Sequence, residues 1–172
     1  DELIEGQAKA HGRPALHIVP LCISLGISQQ LNLGQILLAI LHGYEVGARF
    51  GEAYAVPPGE HVDGTWGTIA ATVSACTLLK ATPQQTTGAV NTARCQMSRS
   101  LFAPVKAGSK SRLLYSGLAA SRGMDLAIAS LANFHGPESL IDLSVDYDQR
   151  WRHDLRLDLR NPLSIQEGYI KL

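Results

Sequence analysis

The chain has 172 residues, which is enough for one domain with a sizeable hydrophobic core. Lysine plus arginine and aspartate plus glutamate each number 15, and this balance argues against a nucleic-acid partner or a polybasic membrane anchor. Aromatic residues make up 6% of the chain against 45% for the hydrophobic class, which predicts a core of Ala, Leu, Ile and Val and favours closely packed helices.

The first predicted helix follows a polar opening. Residues 1–14 are broken by Gly12 and Pro14 and are interpreted as a loop. Residues 15–28 are apolar at helical spacing, with Pro20 tolerated near the first turn or producing a kink.

The second predicted helix, residues 31–54, has the clearest pattern, because its apolar positions follow a period of 3.6 residues. Gly43, Gly47 and Gly51 recur every four residues along one stripe. Each glycine inside a helix costs roughly 1 kcal/mol relative to alanine. The stripe therefore predicts that another backbone packs closely against this helix.

Two more helices are predicted in the middle of the chain. One runs from about Thr68 to Lys80 and is rich in small residues. The next has a readable start signal, with Thr82 as N-cap, Pro83 at the first helical position and Gln85 three residues after the cap.

The rest of the chain changes character twice. Residues 98–112 are interpreted as a basic loop and residues 113–134 as a helix interrupted at Gly123. The alternating stretch DLRLDLR and the final EGYIKL predict extended segments. The prediction is a mainly α protein, with a helical domain over residues 1–142 and an extended segment over residues 143–172 that leads toward a second unit.

The cysteines and the sequence at the two ends of the chain indicate the cellular compartment of the protein. Cys22, Cys76 and Cys95 are odd in number and have no CxxC spacing, so they are interpreted as small buried hydrophobes in a reducing cytoplasm. The opening DELIEGQAKA has no signal-peptide character, and the longest apolar run, ILLAIL, is too short to span a bilayer. A cytoplasmic protein is predicted. The missing initiating Met and the apolar last residues indicate a piece of something longer.

Candidate chemistry begins at the stretch GEHVDGTWGT, which precedes the third predicted helix. A helix N-terminus offers unpaired N–H groups and suits a carboxylate or phosphate. Gly64 and Gly67 would let the backbone approach a ligand, and Thr65 would donate a hydroxyl. His61 would carry a proton near neutral pH. The alternative is a histidine in an ordinary surface loop followed by a threonine N-cap.

A second candidate region is the basic loop, whose cations are suited to clamp a polycarboxylate. Its alternative is a solvated surface loop. The cations are Arg99, Lys106, Lys110 and Arg112. The sequence AGSKSR does not supply a phosphate loop, and His11 and His17 do not have the spacing of a helical metal pair. No metal or organic cofactor is predicted.

These segments resemble the MmgE/PrpD family, which includes 2-methylcitrate dehydratase, cis-aconitate decarboxylase and iminodisuccinate epimerase. The stretch ILLAILHGYEVGARFG is similar to the family's LLAIVAGYEVAARLG-type helix, and HVDGTWGTIAA is similar to its HPTGTAGTFGAA-type motif. The segment from AGSKSRLLYSG to GPESLID follows a DGSxTKRLHPG-type segment, and GYIKL resembles an xxIKxYP strand. The likeness covers essentially the whole chain.

The resemblance implies a large helical domain with a smaller α/β lid, assembled as a homodimer with the active site between the domains. This chain would cover much of the helical domain and only the first strand of the lid. By matching position, His61 falls on the family's active-site histidine and Thr65 on the threonine that follows it. Lys171 falls on the lysine of the IK strand.

Other matched positions differ from the family pattern. The histidine of a Gly-His-Pro turn is Arg13 here, the active-site lysine is Arg112, and a nearby histidine is Tyr115. Arg112 remains suited to bind a carboxylate but is a poor proton donor, whereas Tyr115 can act as a general acid. The family's acidic position near the turn falls at Ile4, with Glu2 and Glu5 beside it.

Two functions follow from the sequence. The first is an MmgE/PrpD-like lyase or isomerase acting on a small di- or tricarboxylate, such as 2-methylcitrate or cis-aconitate, by proton abstraction with loss of water or carbon dioxide. Its predicted catalytic residues are His61, Lys171 and Tyr115, and its predicted substrate-binding residues are Arg13, Thr65, Lys110 and Arg112. The second is a non-catalytic helical dimerisation domain, or a fragment of a split or truncated enzyme.

Overall fold

The computed structural model describes residues 5–136 and 161–170, and these residues form a mainly helical protein. The helices are α1 (Pro14–Ser28), α2 (Leu33–Ala53), α3 (Gly67–Leu78), α4 (Pro83–Cys95), α5 (Ala103–Lys106) and α6 (Leu114–Leu131). The strands are β1 (Glu5–Gln7), β2 (Glu60–His61), β3 (Ser100–Leu101) and β4 (Gly168–Ile170). Short 3-10 turns lie at Lys110–Leu113 and Ser164–Glu167. The predicted mainly α fold class is confirmed.

Helix α3 lies at the centre of the protein, where α1, α2, α4 and α6 pack around it. Every residue of α3 except Thr77 is buried. Its alanines, serines and threonines are small enough for neighbours to approach from all sides, and the buried hydroxyls find carbonyl partners. Thr72 donates to the carbonyl of Thr68 at 2.8 Å and Ser74 to that of Ala39 at 2.9 Å.

The glycine stripe of α2 packs as the sequence predicts. A Cβ atom added to Gly43 would lie 2.8 Å from the carbonyl oxygen of Ala70, and one added to Gly47 would lie 2.5 Å from the Cβ of Ala70. A Cβ atom on Gly51 would meet the ring of Trp66 at 2.8 Å. The stripe therefore lets α2 approach α3 and its first turn more closely than side chains would permit.

The predicted interruption at Gly123 is wrong, because α6 continues through it. Gly123 is buried and faces α3, where an added Cβ atom would lie 2.6 Å from the Cβ of Ala71 and 2.7 Å from the backbone nitrogen of Thr72. This glycine serves close helix packing and does not break the helix.

The start signal of α4 is confirmed as a capping box. The Thr82 hydroxyl accepts the backbone N–H of Gln85 at 3.2 Å, and the Gln85 side chain accepts the backbone N–H of Thr82 at 2.9 Å. Pro83 occupies the first helical position. Each side chain therefore satisfies one backbone donor that the helix itself leaves unpaired.

Replacing Thr82 with Ala is expected to lower the free energy of unfolding by about 1 kcal/mol, because the N-terminal donor of α4 loses its acceptor. Urea unfolding followed by circular dichroism measures this change. Thr87→Ala is the matched control, since Thr87 is exposed within the same helix and alanine has the higher helix propensity. Equal stability of the two variants would contradict the capping contribution.

The opening segment, interpreted as a loop, contains strand β1. It pairs antiparallel with β4, with Glu5 opposite Ile170 and Gln7 opposite Gly168. Three residues form a strand here because a partner from the far end of the sequence supplies the hydrogen bonds. The extended character predicted for EGYIKL is confirmed at β4, whereas DLRLDLR and the domain boundary at residue 142 lie outside the described residues.

The cysteines divide into two groups. Cys22 and Cys76 are buried in the core, and burial raises the pKa of both thiols, to about 11 for Cys76. Cys95 is exposed, so its predicted burial is wrong. Cys95 is the last residue of α4 and is exposed although Ala93 and Arg94 directly before it are buried.

Candidate functional site

His61 is held by a short pair of strands and two aromatic rings. β2 pairs with β3, with His61 opposite Ser100. The imidazole stacks on Phe102, with ring centroids 5.5 Å apart and planes at 18°, and the Tyr115 ring lies 6.0 Å away. The His61 side chain is 13% exposed. These contacts fix the plane of the imidazole while leaving part of it at the surface.

The polar contacts of His61 assign its tautomer. Its Nδ1 atom accepts the backbone N–H of Asp63 at 3.1 Å, so the neutral ring carries its hydrogen on Nε2. The Asp63 carboxylate oxygen Oδ2 lies 3.7 Å from the same Nδ1. In this arrangement a neutral His61 is a hydrogen-bond donor through Nε2.

Arg13 forms an ion pair with Asp63 through its Nη2 atom and the carboxylate Oδ2. The Arg13 side chain is 21% exposed and that of Asp63 7% exposed, so the pair is largely shielded from water. The other Asp63 oxygen, Oδ1, has no hydrogen-bond partner among the described residues. The positive charge of Arg13 is therefore already matched by a carboxylate.

Glu5 brings a second carboxylate to this region. Its Oε1 atom accepts the Tyr44 hydroxyl at 2.7 Å, and its Oε2 atom accepts the backbone N–H of Ala15 in the first turn of α1 at 3.2 Å. Burial raises the pKa of Glu5, while these hydrogen bonds and the positive charge of Arg13 partly oppose the shift. Glu5 is therefore a better proton acceptor near neutral pH than an exposed glutamate.

A cavity of about 260 Å³ brings Glu5, Arg13 and His61 together. Its lining residues are Glu5, His11, Gly12, Arg13, His61, Val62 and Tyr169. Tyr169 comes from β4 and lies over Gly6, where an added Cβ atom would stand 2.5 Å from its ring. A proton acceptor, a hydrogen-bond donor and a cation thus share one small cavity.

Two other predicted residues lie near His61 but use their hydroxyls within the protein. Thr65 is buried, and its hydroxyl donates to the carbonyl of Val62 at 2.6 Å. The Tyr115 hydroxyl donates to the carbonyl of Leu101 at 3.0 Å. Neither residue lines the cavity. Their predicted contacts with substrate stay predictions.

The predicted cations beyond Arg13 are placed elsewhere. Lys110 is exposed and Arg112 half-buried on the 3-10 turn that precedes α6, and neither lines the cavity. Lys171 lies outside the described residues, directly after Ile170 of β4. Of the predicted site residues that the structure describes, His61 and Arg13 line the cavity.

Gly64, which precedes α3, and Gly67, its first residue, both have the side chain of His17 as a neighbour. The backbone N–H of Gly64 donates to His17 Nε2 at 3.0 Å. A Cβ atom on Gly67 would lie 2.2 Å from Cδ2 of the same imidazole. The close approach predicted for a ligand is made by His17, which is 1% exposed.

His17 should make the protein sensitive to acid. Burial lowers the pKa of its imidazole, whose Nδ1 donates to the carbonyl of Arg13 at 3.1 Å while Nε2 accepts from Gly64. The unfolded chain takes up a proton at about pH 6.5 and the folded chain does not, so the free energy of unfolding decreases as the pH falls below that value. His17→Asn should make this decrease shallower.

Unfolding in urea at several pH values between about 8 and 5 measures that slope. His42→Asn is the matched control, because it removes an exposed histidine of α2. A slope in His17→Asn as steep as in the unmodified chain would rule out His17 as its source.

Three residues of this region were not predicted as site residues. For Glu5, the sequence carried no signal beyond its position next to Ile4, which matches the acidic position of the family. No feature of the sequence pointed to Tyr169. Asp63 was visible as the carboxylate in GEHVDGTWGT, two residues after His61. A carboxylate at that spacing is a usable signal, because a tight turn places it within reach of the imidazole.

Over residues 5–136 and 161–170, no group of three or more His, Cys, Asp or Glu side chains is arranged to hold a metal ion. No helix in the same ranges combines the length and apolar character needed to cross a membrane.

Comparison with known families gives one match. The family profile of the MmgE/PrpD N-terminal domain matches residues 8–147, a range that contains all of α1 to α6 together with Arg13 and His61. A search of curated proteins found no match. The match spans most of the 172 residues and agrees with the observed helical fold. The chain therefore belongs to the MmgE/PrpD family and represents a portion of its helical N-terminal domain.

Proposed function

We propose that this chain carries the substrate cavity of an MmgE/PrpD-type lyase that acts on a small di- or tricarboxylate, of the class of 2-methylcitrate and cis-aconitate. The convergence of Glu5, Arg13 and His61 in one cavity supports the proposal most strongly. The cavity volume of about 260 Å³ is near the lower bound of small-ligand sites, about 300 Å³, and suits a small metabolite.

The proposed chemistry divides proton transfer and charge stabilisation between two residues. Glu5 removes the proton next to a substrate carboxylate, since its raised pKa makes it a stronger base than an exposed glutamate. His61 donates a hydrogen bond through Nε2 to the oxygen on which enolate-like charge develops. This role differs from the acid/base role predicted for His61, because Nδ1 already accepts a backbone hydrogen.

The other predicted site residues are given the following roles in the proposal. Lys171 is proposed as a catalytic residue because it matches the lysine of the family's IK strand, and it directly follows Ile170, whose Cα pairs with that of Glu5. Tyr115 lies beside the His61 ring. It is proposed as the general acid that protonates the substrate hydroxyl as it leaves as water. Lys110 and Arg112 are proposed to bind a distal substrate carboxylate, and Thr65 to support the loop of His61.

The proposal includes a domain arrangement. Residues 1–142 form the helical domain, and residues 143–172 lead into an α/β lid. The pairing of β4 with β1 supports this arrangement, because it places the final described segment directly at the cavity. A cytoplasmic homodimer without a metal or organic cofactor completes the proposal.

A second candidate function is a non-catalytic helical dimerisation domain. Exposed apolar side chains along α6 favour it, since Leu114, Leu118 and Ile128 are 59%, 61% and 50% exposed. Contiguous exposed apolar surface marks interaction sites in many proteins. Light scattering over a concentration series reports whether the chain associates, and it does so independently of turnover.

Turnover assays of the chain with 2-methylcitrate, cis-aconitate and iminodisuccinate test the first function. We expect activity with one of them and its loss in His61→Ala. His42→Ala is the matched control, because His42 is exposed on α2 and does not line the cavity. If no substrate is turned over and calorimetric titration with citrate gives no heat, the dimerisation function is favoured.

A further inference from the structure

The positive charge of Arg13 is already neutralised by an ion pair before any substrate binds. Among the described residues that line the cavity, Arg13 is the one with a permanent positive charge, and it pairs with Asp63. Because the Asp63 side chain is 7% exposed, water screens this pair less than it would screen a surface pair. A substrate carboxylate must therefore compete with Asp63 for the guanidinium.

Asp63 is held in place from two directions. Its carboxylate binds Arg13, and its backbone N–H binds Nδ1 of His61 at 3.1 Å. Gly64 follows at a φ of +90°, a left-handed conformation that glycine accepts without strain. The backbone of Asp63 is therefore fixed beside His61, and its carboxylate is held by the ion pair with Arg13.

A carboxylate that lines the described cavity adds to the negative charge of Asp63. Glu5 adds a second carboxylate to the cavity, next to His11 and Tyr169. On the adjoining strands, Arg99 pairs with the buried carboxylate of Glu60 at 2.5 Å. Arg13 and Arg99 are thus each matched by a carboxylate, and among the described residues no arginine other than Arg13 and no lysine lines the cavity.

We infer that Asp63 is a specificity-determining residue. By holding Arg13, it lowers the affinity of the cavity for a tricarboxylate relative to a dicarboxylate. The inference rests on the proposed function, because it concerns how the same cavity selects its carboxylate substrate. It predicts that removing the Asp63 charge releases Arg13 and shifts preference toward the more highly charged ligand.

Two unreactive probes isolate the effect of one carboxylate. Propane-1,2,3-tricarboxylate and glutarate share the same carbon chain and differ by the central carboxylate. Calorimetric titration of the chain with each probe gives a ratio of affinities. In Asp63→Asn we expect the ratio of tricarboxylate to dicarboxylate affinity to rise by about tenfold, because Arg13 becomes available to the additional carboxylate.

Three further variants make the test decisive. Asp63→Glu keeps the negative charge and should keep the original ratio of tricarboxylate to dicarboxylate affinity. Asp63→Ser removes the charge with a smaller side chain, and it provides a second measurement if the Asn variant does not fold. Glu52→Gln removes an exposed carboxylate on α2 and should leave the ratio unchanged, which controls for net charge.

The outcomes separate this inference from the proposed function. A rise of the ratio in Asp63→Asn or Asp63→Ser, with no rise in Asp63→Glu, supports the inference. An unchanged ratio in folded charge-removing variants that still bind both probes overturns the inference and leaves the proposed function standing. Failure of the unmodified chain to bind either probe overturns the proposed function, and the inference with it.

Discussion

Replacing Glu5 with Gln is expected to lower kcat by about 10²- to 10⁴-fold, the usual contribution of a positioned general base. The amide has nearly the same shape but cannot accept the substrate proton. Burial raises the pKa of Glu5 from its ordinary value of 4.5, so the proposed activity of the unmodified chain should fall on the acid side at a pH above that value. The Gln variant should lack this acid limb, which a pH profile of kcat/KM measures.

Two controls separate catalysis from folding in this experiment. Glu5→Asp keeps a carboxylate and should retain part of the activity together with the acid limb. Thermal melting of each variant shows whether the lost acceptor for Ala15 and Tyr44 has affected the fold. Turnover by a folded Glu5→Gln variant close to that of the unmodified chain would exclude Glu5 as the base.

Replacing Gly123 with Ala should cause the largest loss of stability among the glycine substitutions of α6, about 3 kcal/mol. The new methyl group would lie 2.7 Å from the backbone nitrogen of Thr72 and 2.9 Å from the carbonyl carbon of Ala71. Both atoms belong to the backbone of α3, which is enclosed on all sides and cannot retreat. Urea unfolding measures the change.

Gly117→Ala is the matched control in the same helix. A Cβ atom at Gly117 meets nothing within 4 Å, so the higher helix propensity of alanine should raise the free energy of unfolding by about 1 kcal/mol. The same substitution should thus have opposite signs at two positions of one helix. Equal effects at both would show that α6 and α3 do not pack as closely as described.

Local signals in the sequence were sufficient for much of the fold. The start of α4 could be predicted because both halves of its capping box, Thr82 and Gln85, lie within one helical turn. The glycine stripe of α2 could be predicted because its spacing repeats along a single helix. Helical period and capping act over a few residues, which a sequence displays directly.

Features that depend on distant neighbours could not be predicted in this way. Gly123 reads as a helix breaker until α3 is known to lie against it. Gly67 reads as a place for a ligand until His17 is known to occupy the space. A glycine at each position indicates that another group packs closely against the backbone. The sequence alone does not identify that group.

The candidate site shows the same division. Arg13 and His61 were found by matched motif positions, whereas the partner of Arg13 lies 50 residues away in the sequence. Asp63 stands where the HPTGT-type motif has threonine, and Arg13 where the Gly-His-Pro turn has histidine. The two departures form one ion pair, and this relation appears when the structure joins the segments.

The pairing of β1 with β4 also has a consequence for folding. The side chain of Gln7 meets the carbonyl of Ser164 across 157 residues of sequence, and Glu45 of α2 accepts the backbone N–H groups of Ser164 and Ile165 at 2.8 Å each. Closing so long a loop costs more chain entropy than forming a helix, whose contacts are local. We expect the helices to assemble first, so that Tyr169 reaches the cavity in a late step and a newly made chain gains its complete binding surface after its core has formed.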